Sequence, residues 1–322
     1  MMSAPQVSVI LNAMNGEKFI AETITSILHQ TFKNFELIVI DDGSTDQTWD
    51  VIKSFDDPRI RAFRQENQGI AATANRGIAR ASGPYLARID QDDLMRPERL
   101  KQQLSYLETH PSVALCCSAA QLMFDRTLST KAYRAPEDGN ALKLRLLFEN
   151  PVVQCTVMMR TDVVRALGGY DEDKSLHPAD DFELWTRIAR RHPIKALPEM
   201  LAIYRIHKKS ASYAIRTIQH NVKIGARSLH LYLSSRYSLA QCESLAAIYH
   251  RMHGNYEPLP LRTALAMFDE ASLMIEPNRA QWSAEFKAAC AMQRRMIFFH
   301  SLLRRPGLRT LVQPVPALRL RH

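Results

Sequence analysis

Apolar runs and helical patterns alternate along the first 110 residues of the chain. Four short runs rich in apolar residues are typical of buried strands: residues 6–11, 36–40, 59–64 and 84–89. Four segments that repeat apolar residues at helical spacing are predicted helices: residues 17–30, 45–55, 68–81 and 98–108. Strands and helices in this alternation predict a parallel, doubly wound α/β sheet.

The pattern becomes mixed after residue 111. Three further strands are predicted over residues 113–118, 155–160 and 198–206. Three further helices are predicted over residues 140–149, 161–167 and 179–191. From about residue 210 the patterns are mainly helical and show no catalytic spacing. We therefore expect a catalytic α/β domain over residues 1–212 and a helical C-terminal region over residues 213–322.

Polar breaks follow three of the predicted strands, at residues 12–16, 41–44 and 90–93. In doubly wound sheets, ligands bind beyond the carboxyl ends of the strands, so the three breaks should line one crevice. None of them contains a G-x-G-x-x-G or P-loop sequence, which argues against a dinucleotide or Walker-type phosphate site.

The last break is strongly acidic, because Asp90, Asp92 and Asp93 fall within four residues. Clustered carboxylates repel one another and call for a cation. Hard oxygen ligands at the end of a strand suit Mg²⁺ or Mn²⁺, which takes one or two carboxylates together with phosphate oxygens of a substrate. The alternative is an acidic loop that only precedes the helix opening at Pro97.

Composition is that of a soluble globular protein, with 46% apolar and 23% charged residues among 322. No apolar run approaches the ~18 residues that a spanning helix needs, and residues 1–6 show no secretory pattern, so we expect a cytoplasmic protein. The five cysteines (Cys116, Cys117, Cys155, Cys242 and Cys290) have no C-x-x-C spacing and are expected to be buried thiols.

Positive charge is concentrated at the C-terminus. From Lys287 onward there are seven Arg and no Asp or Glu, so this segment carries +8 of the net +9. Because the rest of the chain is nearly neutral and shows no nucleic-acid motif, we expect no nucleic-acid partner. The basic, apolar-rich tail is expected either to contact an anionic membrane surface or to dock on the body of the protein.

The order of these motifs resembles family 2 glycosyltransferases. The matching pieces are VSVI at 7–10, DDGSTD at 41–46, NQGIA at 67–71, DQDD at 90–93, GGYD at 168–171, DDFELW at 180–185 and YRIH at 204–207. Together they cover roughly residues 6–212. The resemblance implies a Rossmann-like GT-A fold, a nucleotide-sugar donor, a divalent metal (Mg²⁺ or Mn²⁺) and an inverting single displacement.

The resemblance also implies roles for individual residues. The nucleotide would be bound by Ala13, Asn15, Asp41, Asp42, Gly69 and Asn75, with Asp42 accepting a hydrogen bond from the base. The metal would be held by Asp90, Asp92 and His207, with Gln91 a spacer. Gly169, Tyr170 and Asp180 would lie on the acceptor side, and Asp181 would be the general base.

Several of these assignments have a structural alternative. Asp41 and Asp42 begin a sequence that suits a turn and helix cap. Asp180, with Glu183 three residues later, resembles a capping box. His207 precedes two lysines, as solvated surface histidines often do. Gly69 suits a helix start, and Asn75 suits a packing role.

Two departures from the family pattern refine the expectation. Met14 stands where relatives commonly have an aromatic residue near the base, which makes the base less certain. The Gln-x-x-Arg-Trp sequence of processive synthases is absent, so one sugar per visit is expected. The sequence therefore predicts transfer of a single sugar from a UDP- or dTDP-sugar to a saccharide or lipid-linked saccharide in surface polysaccharide synthesis. The competing hypothesis is a non-catalytic relative that binds nucleotide-sugar or membrane.

Overall fold

The computed structural model describes residues 4–124, 126–207, 216–234, 236–252 and 256–302. The chain divides into two compact units, residues 1–221 and 222–322. The expected functional boundary between residues 212 and 213 lies outside the described residues and stays a prediction.

The first unit is built on one sheet, which has nine strands among the described residues. They are β1 (Val7–Ala13), β2 (Phe35–Asp42), β3 (Ile60–Gln65), β4 (Tyr85–Asp90), β5 (Leu94–Met95), β6 (Leu115–Phe124), β7 (Thr127–Tyr133), β8 (Met158–Arg160) and β9 (Ile194–Ile206). The order is β3-β2-β1-β4-β8-β6-β9-β5, with β7 paired to β6.

Helices cover this sheet and make up most of the second unit. In the first unit they are α1 (Ile20–Leu28), α2 (Thr48–Lys53), α3 (Ile70–Arg80), α4 (Arg99–Thr109), α5 (Gly139–Arg145), α6 (Thr161–Ala166) and α7 (Asp180–Arg191). Helix α8 (Arg216–Tyr232) crosses into the second unit, which also contains α9 (Leu239–Tyr249), α10 (Leu261–Ile275) and α11 (Ala284–Leu302). The predicted α/β sheet and mainly helical C-terminal region are confirmed.

The core of the first unit lies along strands β1, β2 and β4 and includes residues of β6, β8 and β9, whereas β3 contributes only partly buried residues. Strands β1 and β2 are almost wholly buried, as their continuous apolar sequences require when helices cover both faces of a parallel sheet. Helix α3 packs closely on β1 at Gly77, where a Cβ would lie 2.5 Å from Cγ2 of Ile10. The missing side chain therefore sets the distance between this helix and the sheet.

The structure differs from the sequence prediction mainly beyond residue 111. The final strand, β9, begins at Ile194 rather than at residue 198, and its pairing with β6 shifts register around Ser118 and Ala119. Pro198 and Glu199 fall in that irregularity, since Leu197 pairs with Ser118 and Met200 with Ala119. Proline has no N–H for the ladder, so it is accommodated where the pairing is interrupted.

Two further strand boundaries in this part of the chain differ clearly from the prediction. The strand predicted to begin at residue 155 begins at Met158, after a short 3₁₀ turn at Gln154–Thr156. The strand expected to end at residue 118 continues to Phe124. No helix in the described part of the chain is long and apolar enough to cross a bilayer.

Candidate active site at the carboxyl ends of the parallel strands

The parallel register brings the predicted polar breaks to one edge of the sheet. Asn12 at the end of β1 lies beside Asp90 at the end of β4, and Ala13 lies beside Asp41 at the end of β2. Asp42 in turn pairs with Gln65 at the end of β3. The expected convergence of these loops is therefore confirmed.

Asp41 organises the loop that follows β2. Its buried carboxylate accepts hydrogen bonds from the backbone N–H and the hydroxyl of Ser44, and its Oδ2 lies 3.0 Å from Nε of Arg64. Arg64 also donates to the Ser44 carbonyl at 2.7 Å. These contacts give Asp41 a structural task, and its nucleotide-binding role stays a prediction.

Asp42 connects the end of β2 to the start of α3. Its Oδ1 accepts from the backbone N–H of Gln68 at 2.9 Å, and its Oδ2 accepts from that of Gly69 at 3.0 Å. Gln65 Nε2 also donates to Oδ1, at 2.6 Å. Gly69 adopts φ +93°, a conformation that favours glycine and that places its N–H toward this carboxylate. Asp42 therefore stabilises the entry to α3, whether or not it also contacts a base.

A surface hollow of about 550 Å³ lies next to this loop, lined by Gly43, Arg64, Gln65, Glu66 and Asn67. Met14 borders it from the loop after β1, since Asn67 Nδ2 approaches Met14 Sδ at 2.9 Å. The side chain of Met14 is 44% exposed. The rim therefore offers an exposed apolar surface beside polar groups.

Asn15 joins the loops after β1 and β2. It has a positive φ of 50°, its N–H donates to the Ser44 hydroxyl at 2.9 Å, and its Oδ1 accepts from the Thr45 N–H at 2.9 Å. Ala13, at the end of β1, is buried. Both residues lie where the family resemblance places the nucleotide, and their nucleotide contacts stay a prediction.

Gln91 has a defined structural role that the sequence did not reveal. Its Oε1 accepts from the Met14 N–H at 2.8 Å, and its Nε2 donates to the Met14 carbonyl at 2.9 Å. Gly16 leaves room for this amide, because a Cβ there would lie 2.2 Å from Gln91 Oε1. The spacer role predicted for Gln91 is therefore incomplete, because its amide also holds the loop after β1 against the acidic loop after β4.

The three clustered carboxylates have three different partners. Asp90 Oδ1 accepts from Gln154 Nε2 at 2.7 Å, and Asp92 Oδ2 lies 2.8 Å from His207 Nε2. Asp93 is buried and accepts from the backbone N–H of Arg205 at 2.8 Å. The sequence assigned Asp90 and Asp92 to a metal and gave Asp93 no role; the structure adds that the three carboxylates have different partners.

Burial and mutual repulsion disfavour the charged forms in this cluster. Burial raises the pKa of Asp90, the positive charge of Arg88 opposes that rise, and the negative charge of Asp92 adds to it. Burial also raises the pKa of Asp93 well above its ordinary value, with the charges of Asp92 and Asp90 acting in the same direction. A cation bound here would relieve both effects.

His207 is held in place rather than solvated at the surface. Its ring stacks on Phe19, with centroids 5.2 Å apart and planes 28° from parallel. The guanidinium of Arg205 lies over the same Phe19 ring, 4.5 Å from its centroid, and pairs with Glu22 at 2.7 Å. Arg205 also donates to the Asp92 carbonyl at 2.7 Å. Phe19 and Arg205, to which the sequence gave no role, therefore hold His207 and Asp92 in position.

These side chains fit a divalent ion only in part. Across the described ranges, no three His, Cys, Asp or Glu side chains group closely enough to hold a metal. Asp92 and His207 do bring one carboxylate oxygen and one imidazole nitrogen together, a donor set that Mn²⁺ accepts. Two protein ligands suffice where phosphate oxygens of a substrate and water complete the coordination. Asp90 points its Oδ1 at Gln154, so its ligand role stays a prediction.

Asp181 lies in the first turn of α7, and its half-buried carboxylate is not a helix cap. The N-cap of α7 is Ala179, and no side-chain capping bond forms there. Glu183, which a capping box would require, pairs instead with Arg187 at 2.6 Å. Asp180 is buried and faces His177 Nδ1 at 3.3 Å. The capping-box alternative is therefore wrong.

The environment of Asp181 suits a proton acceptor. Burial raises the pKa of Asp181 to about 7; hydrogen bonds from the Phe182 N–H and Asn150 oppose the rise, and the charge of Asp90 adds to it. The Phe182 N–H donates at 2.6 Å and Asn150 Nδ2 at 3.1 Å. A carboxylate whose pKa lies near neutral pH can accept a proton and release it again.

Tyr170 connects the two carboxylate regions. Its hydroxyl donates to Gln154 Oε1 at 3.1 Å, while the amide of Gln154 donates to Asp90. Its ring meets the edge of Trp185, one turn after Asp181, at 6.3 Å. Gln154, to which the sequence gave no role, thus links Asp90 at the end of β4 to Tyr170 in the turn that follows α6.

Asn75 holds this turn from α3. Its amide donates to the Tyr170 carbonyl at 2.9 Å and accepts from the Tyr170 N–H at 2.8 Å. Gly169, at φ +72°, leaves space for it, since a Cβ would lie 2.3 Å from Asn75 Oδ1. The packing alternative therefore describes the contacts of Asn75, and its predicted nucleotide contact is untested.

Comparison with known proteins places these features in a family. Residues 8–167 match the family described as Glycosyl transferase family 2. An uncharacterized glycosyltransferase of Haemophilus influenzae is 30% identical over 266 residues, covering 78% of this chain and 82% of that protein. The putative glycosyltransferase EpsE of Bacillus subtilis is 33% identical, covering 69% and 80%. The putative teichuronic acid biosynthesis glycosyltransferase TuaG of B. subtilis is 31% identical, covering 65% and 82%.

Solved structures show the same fold at low sequence identity. S. aureus TarS, crystallised with UDP-GlcNAc, gives a TM-score of 0.60 at 18% identity and covers 91% of this chain and 90% of its own. The mannosyltransferase PcManGT of Pyrobaculum calidifontis, in complex with GDP-Man and Mn²⁺, gives 0.57 at 16% identity, covering 94% and 87%. The predicted GT-A fold is confirmed, and the chain belongs to glycosyltransferase family 2.

Proposed function

We propose that this enzyme transfers a single sugar from a UDP- or dTDP-sugar to a saccharide or lipid-linked saccharide in surface polysaccharide synthesis. The observation that carries the proposal is Asp181, a carboxylate that does not cap its helix and whose pKa burial raises to about 7, with the charge of Asp90 in the acidic loop adding to the rise. The likeness to TuaG supports the polysaccharide context.

The donor nucleotide is proposed to lie at the ends of β1 and β2. Met14 offers an apolar surface to a base, and the adjacent hollow lined by Arg64 and Asn67 has room for one. Asp42 would receive the ring N–H of uracil or thymine in exchange for the Gln65 amide, while Gly69 keeps the backbone of α3 accessible. Ala13, Asn15 and Asp41 would shape the loops around it.

Asp92 and His207 would hold a Mg²⁺ or Mn²⁺ ion, with Asp90 nearby. When bound, such an ion neutralises the diphosphate of the donor and stabilises it as a leaving group. His207 is held against Asp92 by the stack on Phe19, and Arg205 fixes the Asp92 backbone. These residues therefore fix where the diphosphate end of the donor lies.

Asp181 is the proposed general base. Its ionised carboxylate takes the proton of the acceptor hydroxyl while that oxygen bonds to the anomeric carbon and the bond from carbon to the diphosphate breaks. A single displacement of this kind inverts the anomeric centre. Gly169, Tyr170 and Asp180 would line the acceptor side, since they support the turn and the helix from which Asp181 projects.

A donor screen tests the proposal. The chain is mixed with UDP-, dTDP- and GDP-sugars, with and without Mn²⁺, and its melting temperature is followed, because a ligand that binds the folded state raises apparent stability. We expect stabilisation by one uracil- or thymine-containing donor that increases with Mn²⁺. Preference for a GDP-sugar would refute the base assignment, and an equal response without metal would refute the metal assignment.

Turnover separates the proposed enzyme from a non-catalytic relative. With the stabilising donor and saccharide acceptors, Asp181→Asn should bind the donor as the parent chain does and lose transfer by at least about 100-fold, the range for general-base loss. Unchanged transfer would exclude Asp181 as the base. Donor binding with no transfer by the parent chain to any acceptor would favour the non-catalytic hypothesis.

We further propose that the enzyme works in the cytoplasm, at the inner face of the membrane when its acceptor is lipid-linked. The basic tail that suggested membrane contact continues over residues 303–322, which lie outside the described residues. Helix α11 precedes this tail and lies within the described residues.

A further inference from the structure

Helix α11 is apolar on two opposite faces. Its inner face is buried in the second unit through Phe286, Cys290, Gln293 and Ile297. Its outer face, on the opposite side of the helix, consists of Ala288, Ala291, Met292, Arg295, Phe298 and Phe299, all exposed and each three or four residues from another member of the set. A solvated helix normally places polar residues on that side. The outer face therefore needs a partner.

The exposed area is large and partly aromatic. Met292, Phe298 and Phe299 are 47%, 40% and 48% exposed, and the two rings meet edge to face with centroids 5.6 Å apart. Ile297, next to Phe298 in sequence, is fully buried. The structure thus separates the residues that build the core from those that face outward.

Charge identifies the partner. The outer face is flanked by Lys287 and Arg294 and carries Arg295, and from residue 287 onward the chain contains no Asp or Glu. Arg294 is paired with Asp269 at 3.0 Å, whereas Arg295 has no carboxylate partner among the described residues. The sequence then continues into five more arginines after residue 302. Apolar side chains beside Arg295 and Lys287, which form no ion pair among the described residues, match an anionic lipid surface.

We propose that the outer face of α11 docks on an anionic membrane, with Met292, Phe298 and Phe299 entering the boundary between headgroups and acyl chains. Arg295 and Lys287 contact lipid phosphates. The helix lies in the interface and does not cross it, since no described helix is long and apolar enough to span. The proposal concerns the second unit alone and stands whether or not the assigned chemistry is correct.

Vesicle sedimentation with the full chain tests the docking. Vesicles of phosphatidylcholine containing 30% phosphatidylglycerol are compared with pure phosphatidylcholine at several salt concentrations. We expect binding to the anionic vesicles only, weakening as salt rises. Phe298→Ser with Phe299→Ser should weaken binding at least about ten-fold, and Arg295→Gln about five-fold. Leu128→Ser is the matched control, since Leu128 is 50% exposed on β7 of the first unit and should change nothing.

Two other occupants of the outer face would overturn the proposal. A chain ending at residue 302 lacks the five terminal arginines; if it loses all binding while the double Phe variant binds normally, the tail alone makes the contact. If light scattering without lipid shows a dimer that the double Phe variant abolishes, a second copy covers the face. Circular dichroism melts confirm that each variant is folded, so loss of binding reports on the surface.

Discussion

The protonation of Asp181 should determine the acid side of the activity profile. Burial raises the pKa of this carboxyl from 3.8 to about 7, which corresponds to roughly 4 kcal/mol of additional cost for ionising it in the folded protein. A base must be ionised to accept a proton. We therefore expect kcat/KM to rise with pH and to level off above pH 7, with the value at pH 6 about ten-fold below the plateau.

Asn150→Ala provides the internal check. The Asn150 amide donates to Asp181 Oδ2 at 3.1 Å and favours the charged form, so its removal should move the midpoint of the profile to higher pH. The affinity for the donor, measured by calorimetry, should stay the same because Asn150 contacts Asp181, the proposed general base, and not the proposed nucleotide site. Initial rates at saturating metal between pH 5.5 and 8.5 would give both midpoints. A flat profile, or a midpoint near 4 in the parent chain, would refute the reasoning.

The same shift affects stability. Because the folded state raises the pKa of Asp181, folding favours the protonated carboxyl; this contribution is complete below pH 3.8 and is lost as pH rises through 7. Asp181→Asn cannot ionise, so at pH 8 it should be more stable to urea than the parent by about 1–4 kcal/mol. Near pH 4 the difference should vanish. Greater stability of the parent at pH 8 would show that the carboxylate is well compensated.

Three further substitutions test positioning. Gln91→Ala removes both hydrogen bonds to the loop after β1 and should raise the donor KM about ten-fold with little change in kcat, whereas Gln102→Ala on α4 should change neither. Phe19→Ala releases the stacked imidazole and should raise the Mn²⁺ concentration needed for half-maximal activity, which Phe19→Tyr should restore. Gly169→Ala should cost about 1–3 kcal/mol more in urea unfolding than Gly168→Ala: both have positive φ, but only position 169 also meets a neighbouring side chain. Equal losses at the two glycines would contradict the packing argument.

The sequence predicted the central strands well because each is a continuous apolar run buried on both faces. It missed β7, which among the described residues pairs with β6 alone and whose exposed residues show no apolar alternation. It also missed β5, since two residues are too few to display a period. Edge and very short strands are held by backbone pairing, which leaves little trace in side-chain pattern.

Site residues that lie close together in sequence could be predicted, whereas contacts between residues distant in sequence could not. The carboxylates of the acidic loop are visible because three lie within four residues. The amides of Gln91 and Gln154 act on partners 77 and 64 residues away, and nothing near either residue in sequence indicates the contact. At Asp180 the local sequence resembles a capping box, but no such box forms. The N-cap of α7 is Ala179, and Glu183 pairs with Arg187.

The three aspartates of the acidic loop have different partners, and this difference makes Asp92 the strongest candidate for a metal ligand. Asp90 is occupied by Gln154, and Asp93 is buried against the Arg205 backbone, while Asp92 keeps a side chain that is 21% exposed and faces His207. Burial raises the pKa of Asp90 and of Asp93, and the charge of Asp92 adds to both rises, so ionising all three carboxylates is costly in the free protein. A cation at Asp92 would lower both costs at once. Under the proposed function, a cation bound at Asp92 together with the donor diphosphate would therefore relieve repulsion among these carboxylates in the free protein.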